Sequence, residues 1–287
     1  MLAVALDGGA IAKTIRAEVQ ARVEALRRRG VRPRLVVSLV GETADARTYI
    51  ESLQRAGARI GIEVGIDALP SGVSEAGVRD RLQALGADDD VHAIVLQQPL
   101  PRDLRIDRIA AAIPPAKDAD GANPITQGLL AFADAPSFIH LPATAASVLT
   151  LLEHSPAWPV RGKNAVVVGR SRVVGLPVAL LLLARDATVT ITHRATRDLS
   201  AHLRAAEIVV SATGVPGLIR GEMLRPGAIV IDAGTTLVGD TLLGDVDYAS
   251  AERVAAALTP VPGGVGPVTN AILMRNVVQA AERLNAA

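Results

Sequence analysis

NAVVVGRSRVVGLP, residues 164–177, moves from an unbroken apolar run into a glycine, a short polar loop, and a second glycine opening a new apolar stretch. Four consecutive residues, Ala165–Val168, suit a strand buried on both faces, and the loop after them suits a strand-to-helix turn. A phosphate-cradling turn needs glycine where the backbone bends tightly and where helix and strand pack closely; Gly169 and Gly175 stand at those places. The middle glycine of the usual pattern is replaced by Ser171, whose hydroxyl is a further donor toward an anion at the helix N-terminus. Taken alone, the stretch also allows a plain strand-turn-helix without a ligand.

Working outward, ATVTIT (187–192), EIVVSAT (207–213) and AIVIDAG (228–234) are three more buried-strand runs separated by helices or short turns. Strands alternating with helices imply a parallel sheet, and four in this rhythm suggest a Rossmann-like, dinucleotide-binding layer. The end of its second strand reads THRATR, residues 192–197. An acidic residue there would favour NAD; His193 and Arg194, with Arg170 and Arg172 in the loop, instead form a basic cluster suited to a 2′-phosphate, so NADP is the expected cofactor. Arg194 is equally consistent with a solvated surface arginine. Pro177, Thr213, Gly214 and Thr235 complete the set expected to contact the cofactor.

Upstream lies a separate α/β series. Ile11, Ile15, Val19, Val23 and Leu26 recur at helical spacing before Gly30; RLVVSLV (34–40), a segment near 62–68 and HAIVLQQ (92–98) read as strands, with helices near 74–85 and 105–112. The prolines and glycine of IPPAKDADGANP (113–124) argue for a loop at the sheet's carboxyl edge. The fold class expected is two α/β domains: 1–138 plus 270–287, and 139–269. A helix near 143–153, a loop over 258–270 and a last helix over about 271–285 complete the pattern. TYIESLQR (48–55) opens an amphipathic helix whose inward face would carry Tyr49, Leu53 and Ala56, and an ordinary core helix is the simpler reading.

Thirty Lys+Arg against 29 Asp+Glu leave a net charge of +1, which implies no general attraction to nucleic acid or membranes. The absence of cysteine excludes disulfides and thiolate sites and fits a reducing compartment. No apolar run approaches the roughly 20 residues of a spanning helix, and MLAVALDGG lacks a basic leader pattern, so a cytoplasmic protein is expected. The five histidines show no metal-ligand spacing, and no metal site is expected.

VVVGRSRVVGLP, LQQPLP (96–101), KDADG (117–121) and TPVPGGVGP (259–267), in this order and with a tyrosine-bearing helix before them, resemble the methylenetetrahydrofolate dehydrogenase/cyclohydrolase family over essentially the whole chain. The resemblance implies a folate-binding, catalytic N-terminal domain, NADP on the Rossmann-like domain, a C-terminal helix returning to the first domain, and a homodimer formed through the NADP domain. It implies that Tyr49 packs on the pterin ring, that Gln97 is the active-site glutamine, that Asp120 hydrogen-bonds the pterin's nitrogens, and that Pro262, Gly263, Gly264 and Val265 lie against the folate.

Leu53 is the departure. The family pattern Y-x-x-x-K places the lysine associated with the cyclohydrolase step four residues after the tyrosine, where this chain has leucine. Tyr49 and Leu53, one turn apart, would share the ligand-facing side, while Arg55 points elsewhere. Dehydrogenation, which requires no side chain to accept a proton, is therefore expected to persist, and hydrolysis to be weak or absent. Two other readings are a non-catalytic NADP- and folate-binding paralogue and an unrelated NADP oxidoreductase built like shikimate dehydrogenase.

Overall fold

The computed structural model describes residues 2–41, 44–132 and 139–286. After β1 (Val4–Ala5), α1 (Gly8–Arg28) buries Ala12, Ile15, Val19, Val23 and Leu26 as one stripe. Gly30, at φ 81°, ends it in the left-handed conformation that lacks a Cβ penalty. β2 (Arg34–Val40), α2 (Ala44–Ile60), β3 (Glu63–Leu69), α3 (Glu75–Ala87) and β4 (Ala93–Leu96) follow as two successive strand–helix–strand units that share β3. Ser74 caps α3 by accepting from the Gly77 N–H at 3.1 Å. The three strands pair in parallel in the order β3-β2-β4, with Val36 opposite both Gly65 and Ile94.

The loop expected over 113–124 is more ordered than its prolines suggest. α4 (Ile106–Ile109) runs into a 3₁₀ turn over Ala110–Ala112, a second over Pro115–Lys117, and then α5 (Pro124–Leu129). Pro115 and Pro124 stand at helix starts, where the missing N–H has no intrahelical partner to lose.

α6 (Ala143–Glu153) leads into β5 (Asn164–Val168), α7 (Gly175–Leu183), β6 (Thr188–Thr192), α8 (Leu199–Ala205), β7 (Ile208–Ser211) and β8 (Ile229–Asp232). A hairpin of β9 (Thr236–Val238) and β10 (Thr241–Leu243), the short α9 (Tyr248–Ala251), β11 (Ala257–Leu258) and α10 (Val265–Leu284) complete the chain. The larger sheet has the order β1-β11-β8-β7-β5-β6 and is parallel throughout. Val166, Val168, Val209, Val230, Leu203 and Ile219 fill one of its cores.

The chain divides into two compact units. One contains Thr144–Thr269 together with the segment through Lys13; the other contains Thr14–Leu129 and the residues from Asn270 onward. The expected grouping of residues 1–13 with the N-terminal domain is corrected by β1, which pairs with β11 and so joins the larger sheet. The expected boundary at 138 lies outside the described residues. The hairpin, β1 and β11 escaped the sequence reading because strands of two or three residues carry no measurable period. α10 also begins at Val265, six residues before the expected start, since Pro267 falls in its first turn where proline is tolerated.

From Asn270 onward, α10 packs within the same unit as Thr14–Leu129. Asn276 Nδ2 donates to the Ala119 carbonyl at 2.8 Å and the Leu141 carbonyl at 3.1 Å, and Arg22 forms a bidentate pair with Glu282 at 2.9 and 2.6 Å. Among the described residues no helix is long and apolar enough to cross a membrane.

Candidate functional site

In the unit built on β2, β3 and β4, two strands lead at their carboxyl ends into a segment of interest: β2 toward α2 and Tyr49, and β4 into Gln97. The segment Lys117–Asp120 runs alongside β4, with Ile94 and Asp118 bridged and the Ala119 N–H donating to the Ile94 carbonyl at 3.3 Å. That register carries Asp120 toward the carboxyl end of β4, the same edge as Gln97.

Asp118 is fully buried, and its carboxylate accepts from the Ala122 N–H at 2.9 Å and the Asn123 N–H at 2.8 Å, which folds the DADG turn. Burial, with the charge of Asp118 beside it, pushes the Asp120 carboxyl up to about 7, against one backbone hydrogen bond from Ala143. Burial also raises the Tyr49 hydroxyl, and the charge of Asp120 adds to that rise, so the phenol and the carboxyl lie within electrostatic reach of each other. Gln97 is half-buried; its N–H donates to the Ser38 carbonyl at 2.9 Å and its side-chain amide to the Gln98 carbonyl at 2.8 Å. The structure thus gathers Tyr49, Gln97 and Asp120 at one sheet edge.

Leu53 does not join them. The inward stripe of α2 is Ala46, Ile50, Leu53, Gly57 and Ile60, not Tyr49, Leu53 and Ala56, and Leu53 is 0% exposed. Tyr49 sits on the rim of that stripe at 36% exposure. The shared ligand-facing side expected for Tyr49 and Leu53 is corrected: four helical steps of about 100° leave the two about 40° apart around the axis, enough to place the leucine in the core and the tyrosine on its rim. Arg55 lies on the solvent side, 3.8 Å from Glu51. Lys117, the lysine of KDADG, is buried with its amine donating to the Asp88 carbonyl at 2.7 Å, which pins it at the amino end of β4.

In the other unit, Gly169 follows β5 at φ 111°, and a Cβ there would collide with the Ala212 carbonyl oxygen. A Cβ on Gly175 would strike the Gly169 carbonyl. Both positions therefore require glycine, for the close approach that a dinucleotide turn needs. Ser171 takes a role the sequence did not disclose: its Oγ accepts from the Val174 N–H at 3.1 Å and the Gly175 N–H at 3.3 Å, closing the turn that leads into α7, while its hydroxyl hydrogen remains a donor. Arg170, Arg172 and Arg194 are exposed, Pro177 is buried in the first turn of α7, and His193 is half-buried with Nδ1 accepting from the Ala195 N–H at 3.2 Å. Thr213 and the exposed Gly214 follow β7, and exposed Thr235 follows β8, so all three stand at the carboxyl edge with Gly169. A glycine-lined turn, a helix N-terminus and exposed cations at one edge fit a phosphorylated dinucleotide.

Pro262–Val265 forms a tight turn in this same unit. Gly263 needs its φ of 109°, a Cβ on Gly264 would meet the Pro260 carbonyl at 2.6 Å, and the Gly264 carbonyl lies where a Cβ on Gly8 would be. Two buried carboxylates that no motif announced, Asp232 and Asp245, lie beneath the turns after β7 and β8. Asp245 follows the hairpin, whose strands are too short to read, so nothing in the sequence marked it.

A model of the catalytic domain of tetrahydrofolate dehydrogenase/cyclohydrolase matches residues 6–120, and a model of the NAD(P)-binding domain of the same enzymes matches residues 142–285. The chain is 46% identical over 286 residues to the bifunctional protein FolD of Roseiflexus sp. (strain RS-1), spanning 99% of this chain and 98% of that protein. The solved structure of Trypanosoma brucei N5,N10-methylenetetrahydrofolate dehydrogenase-cyclohydrolase, complexed with NADP cofactor and inhibitor, superposes with a TM-score of 0.94 at 40% identity and covers both chains fully. Shikimate 5-dehydrogenase of Thermus thermophilus matches 88% of this chain and 99% of its own at 16% identity and a TM-score of 0.51, a likeness of fold alone.

Proposed function

The chain belongs to the tetrahydrofolate dehydrogenase/cyclohydrolase family, and we propose that it oxidises 5,10-methylenetetrahydrofolate to 5,10-methenyltetrahydrofolate with NADP and hydrolyses the product weakly or not at all. The observation that carries the first half is end-to-end identity of 44% and 46% with proteins named as bifunctional FolD. Placement at the carboxyl edge of Gly169 and Gly175, where no side chain fits, supports the cofactor assignment.

Bound NADP supplies the hydride acceptor. The folate's two nitrogens delocalise the cation left by hydride loss, so the protein's task is to hold two rings in register and keep water away. Tyr49 offers a flat, partly exposed face to the pterin. Asp120, once ionised, accepts from the pterin's donor edge and sets its register, and Gln97 adds a polar contact beside it. Pro262, Gly263, Gly264 and Val265 give the folate a wall of small residues. On the cofactor side, Gly169, Ser171 and the N-terminus of α7 take the pyrophosphate, with Arg170, Arg172, His193 and Arg194 toward the 2′-phosphate, and Gly175, Pro177, Thr213, Gly214 and Thr235 shape the turns around the dinucleotide.

Hydrolysis demands an activated water and proton transfer as the C–N bond opens. Leu53 offers no proton, and Lys117 is tied to the Asp88 carbonyl. A homodimer in the cytoplasm is part of the same reading. One progress curve tests it: NADPH and methenyl product recorded together against a measured spontaneous hydrolysis rate. Methenyl accumulating in step with NADPH and decaying at the blank rate is the expected result. Clearance faster than the blank overturns the assignment of Leu53, and an absence of NADPH favours the non-catalytic binding paralogue.

A further inference from the structure

Asp245 lies just after the β9–β10 hairpin, is 0% exposed, and accepts three hydrogen bonds from residues at least 30 positions away. Its Oδ2 takes the Ser211 hydroxyl at 2.8 Å and the Thr213 N–H at 2.6 Å; its Oδ1 takes the Val215 N–H at 3.0 Å. The two backbone donors flank Gly214, whose φ is 70°. One carboxylate thus grips both sides of the turn that follows β7.

Asp232, 2% exposed at the end of β8, does the corresponding work one strand over. Its Oδ1 accepts from the Gly234 N–H at 2.9 Å, immediately before Thr235, and its Oδ2 from the Val246 N–H at 2.9 Å, immediately after Asp245. The Asp232 N–H donates to Thr259 Oγ1 at 2.7 Å. A Cβ on Gly234 would run into the Asp245 carboxylate, and one on Gly244 into that of Asp232, so two glycines keep the carboxylates seated. The turn after β7, the turn after β8 and the strand leaving the hairpin are joined through two side chains.

We propose that Asp245, braced by Asp232, is a positioning residue for the cofactor: it sets the Thr213–Val215 turn against the dinucleotide without touching it. The inference rests on the reading that Thr213, Gly214 and Thr235 line the NADP site. A buried carboxylate holding two backbone N–H groups orients a turn more rigidly than a loop of exposed residues can orient itself, because each charge-assisted bond is lost only at the cost of an unsatisfied buried group. Burial, with the charge of Asp245 adding to it, pushes the Asp232 carboxyl up to about 6 against its backbone hydrogen bonds, consistent with two acids packed closely.

The test uses the full chain. Asp245→Asn keeps the shape but turns one acceptor into a donor facing a backbone N–H. The expected result is roughly tenfold weaker NADP binding by titration calorimetry, a matching rise in KM for NADP, and faster hydrogen exchange at the Thr213 and Val215 amides. KM for methylenetetrahydrofolate should stay within about twofold of wild type. Ser211→Ala, which removes one of the three bonds and leaves the turn's own donors intact, should weaken NADP about threefold in the same pattern. NADP affinity within about twofold of wild type in a folded Asp245→Asn variant, or a parallel loss for both ligands, overturns the proposal. If that variant does not fold, Ser211→Ala decides by the same criteria, with unchanged NADP affinity overturning it. Wild-type protein that fails to bind NADP sinks the proposed function itself and this inference with it, a result seen before any variant is compared.

Discussion

A Leu53→Lys substitution introduces an amine one helical turn from Tyr49, at a position that is now 0% exposed. Side chains on a helix lean toward its N-terminus, so the methylene stem would follow the Ile50–Leu53 stripe and carry the amine toward the rim where Tyr49 and Asp120 interact. The stem keeps much of the leucine's packing, and the main cost is desolvation of the ammonium. Bringing a buried lysine's pKa from its ordinary range down to near neutrality costs about 4 kcal/mol, which corresponds to a fall of about 10 °C in Tm for a protein of this size. The sign of the pH dependence follows. The folded chain would bind the proton less tightly than the unfolded chain, so the deficit is full below the lowered pKa and shrinks as pH rises through it. The same depressed pKa is what lets the amine transfer protons, and general acid–base assistance typically contributes about 10²-fold or more. With NADPH and methenyl followed together, the variant should retain hydride transfer and clear methenyl at least about tenfold faster than wild type, increasingly so as pH rises. A folded variant that still oxidises methylenetetrahydrofolate yet lets methenyl decay at the blank rate would refute the reasoning that position 53 separates the two activities.

Asp120→Asn should lose folate affinity while becoming more stable than wild type. Its carboxyl is raised in the fold, so wild-type stability falls as pH climbs from about 4 to about 7, and thermal melts should show the variant's advantage growing over that window to about 1–3 kcal/mol and staying level above it. Gly169→Ala forces a methyl into the Ala212 carbonyl at a φ of 111°; equilibrium binding should show NADP affinity reduced by about 10²-fold, and near-normal affinity would remove the turn from the cofactor site. Arg194→Ser removes an exposed cation from the end of β6, and the preference for NADP over NAD, taken from the ratio of kcat/KM values, should fall roughly tenfold; an unchanged ratio would return Arg194 to the role of a solvated surface residue.

The parallel architecture was legible because it is written locally. Apolar runs such as Ala165–Val168 and Ile208–Val210, separated by glycine turns and helices, encode buried strands whatever else the chain does. Glycines at 169 and 175 were legible for the same reason, since a missing Cβ is itself the message. Tyr49, Gln97 and Asp120 were reached only through resemblance to a family, because one tyrosine, one glutamine and one aspartate have no pattern of their own. What tertiary structure alone decided is where long-range contacts put individual side chains. Val4–Ala5 joined the larger sheet by pairing with Ala257–Leu258. Leu53 went to the core while Tyr49 stayed on the rim, a difference of angle on one helix that helical spacing leaves open until β3 supplies the packing face. Asp232 and Asp245 became neighbours because the β9–β10 hairpin turns the chain back to the carboxyl edge of the parallel strands, where Asp232 ends β8. Periodicity reports which elements form, through interactions a few residues long; the identity of a buried acid's partners depends on the sheet order, and that is settled only when distant strands meet.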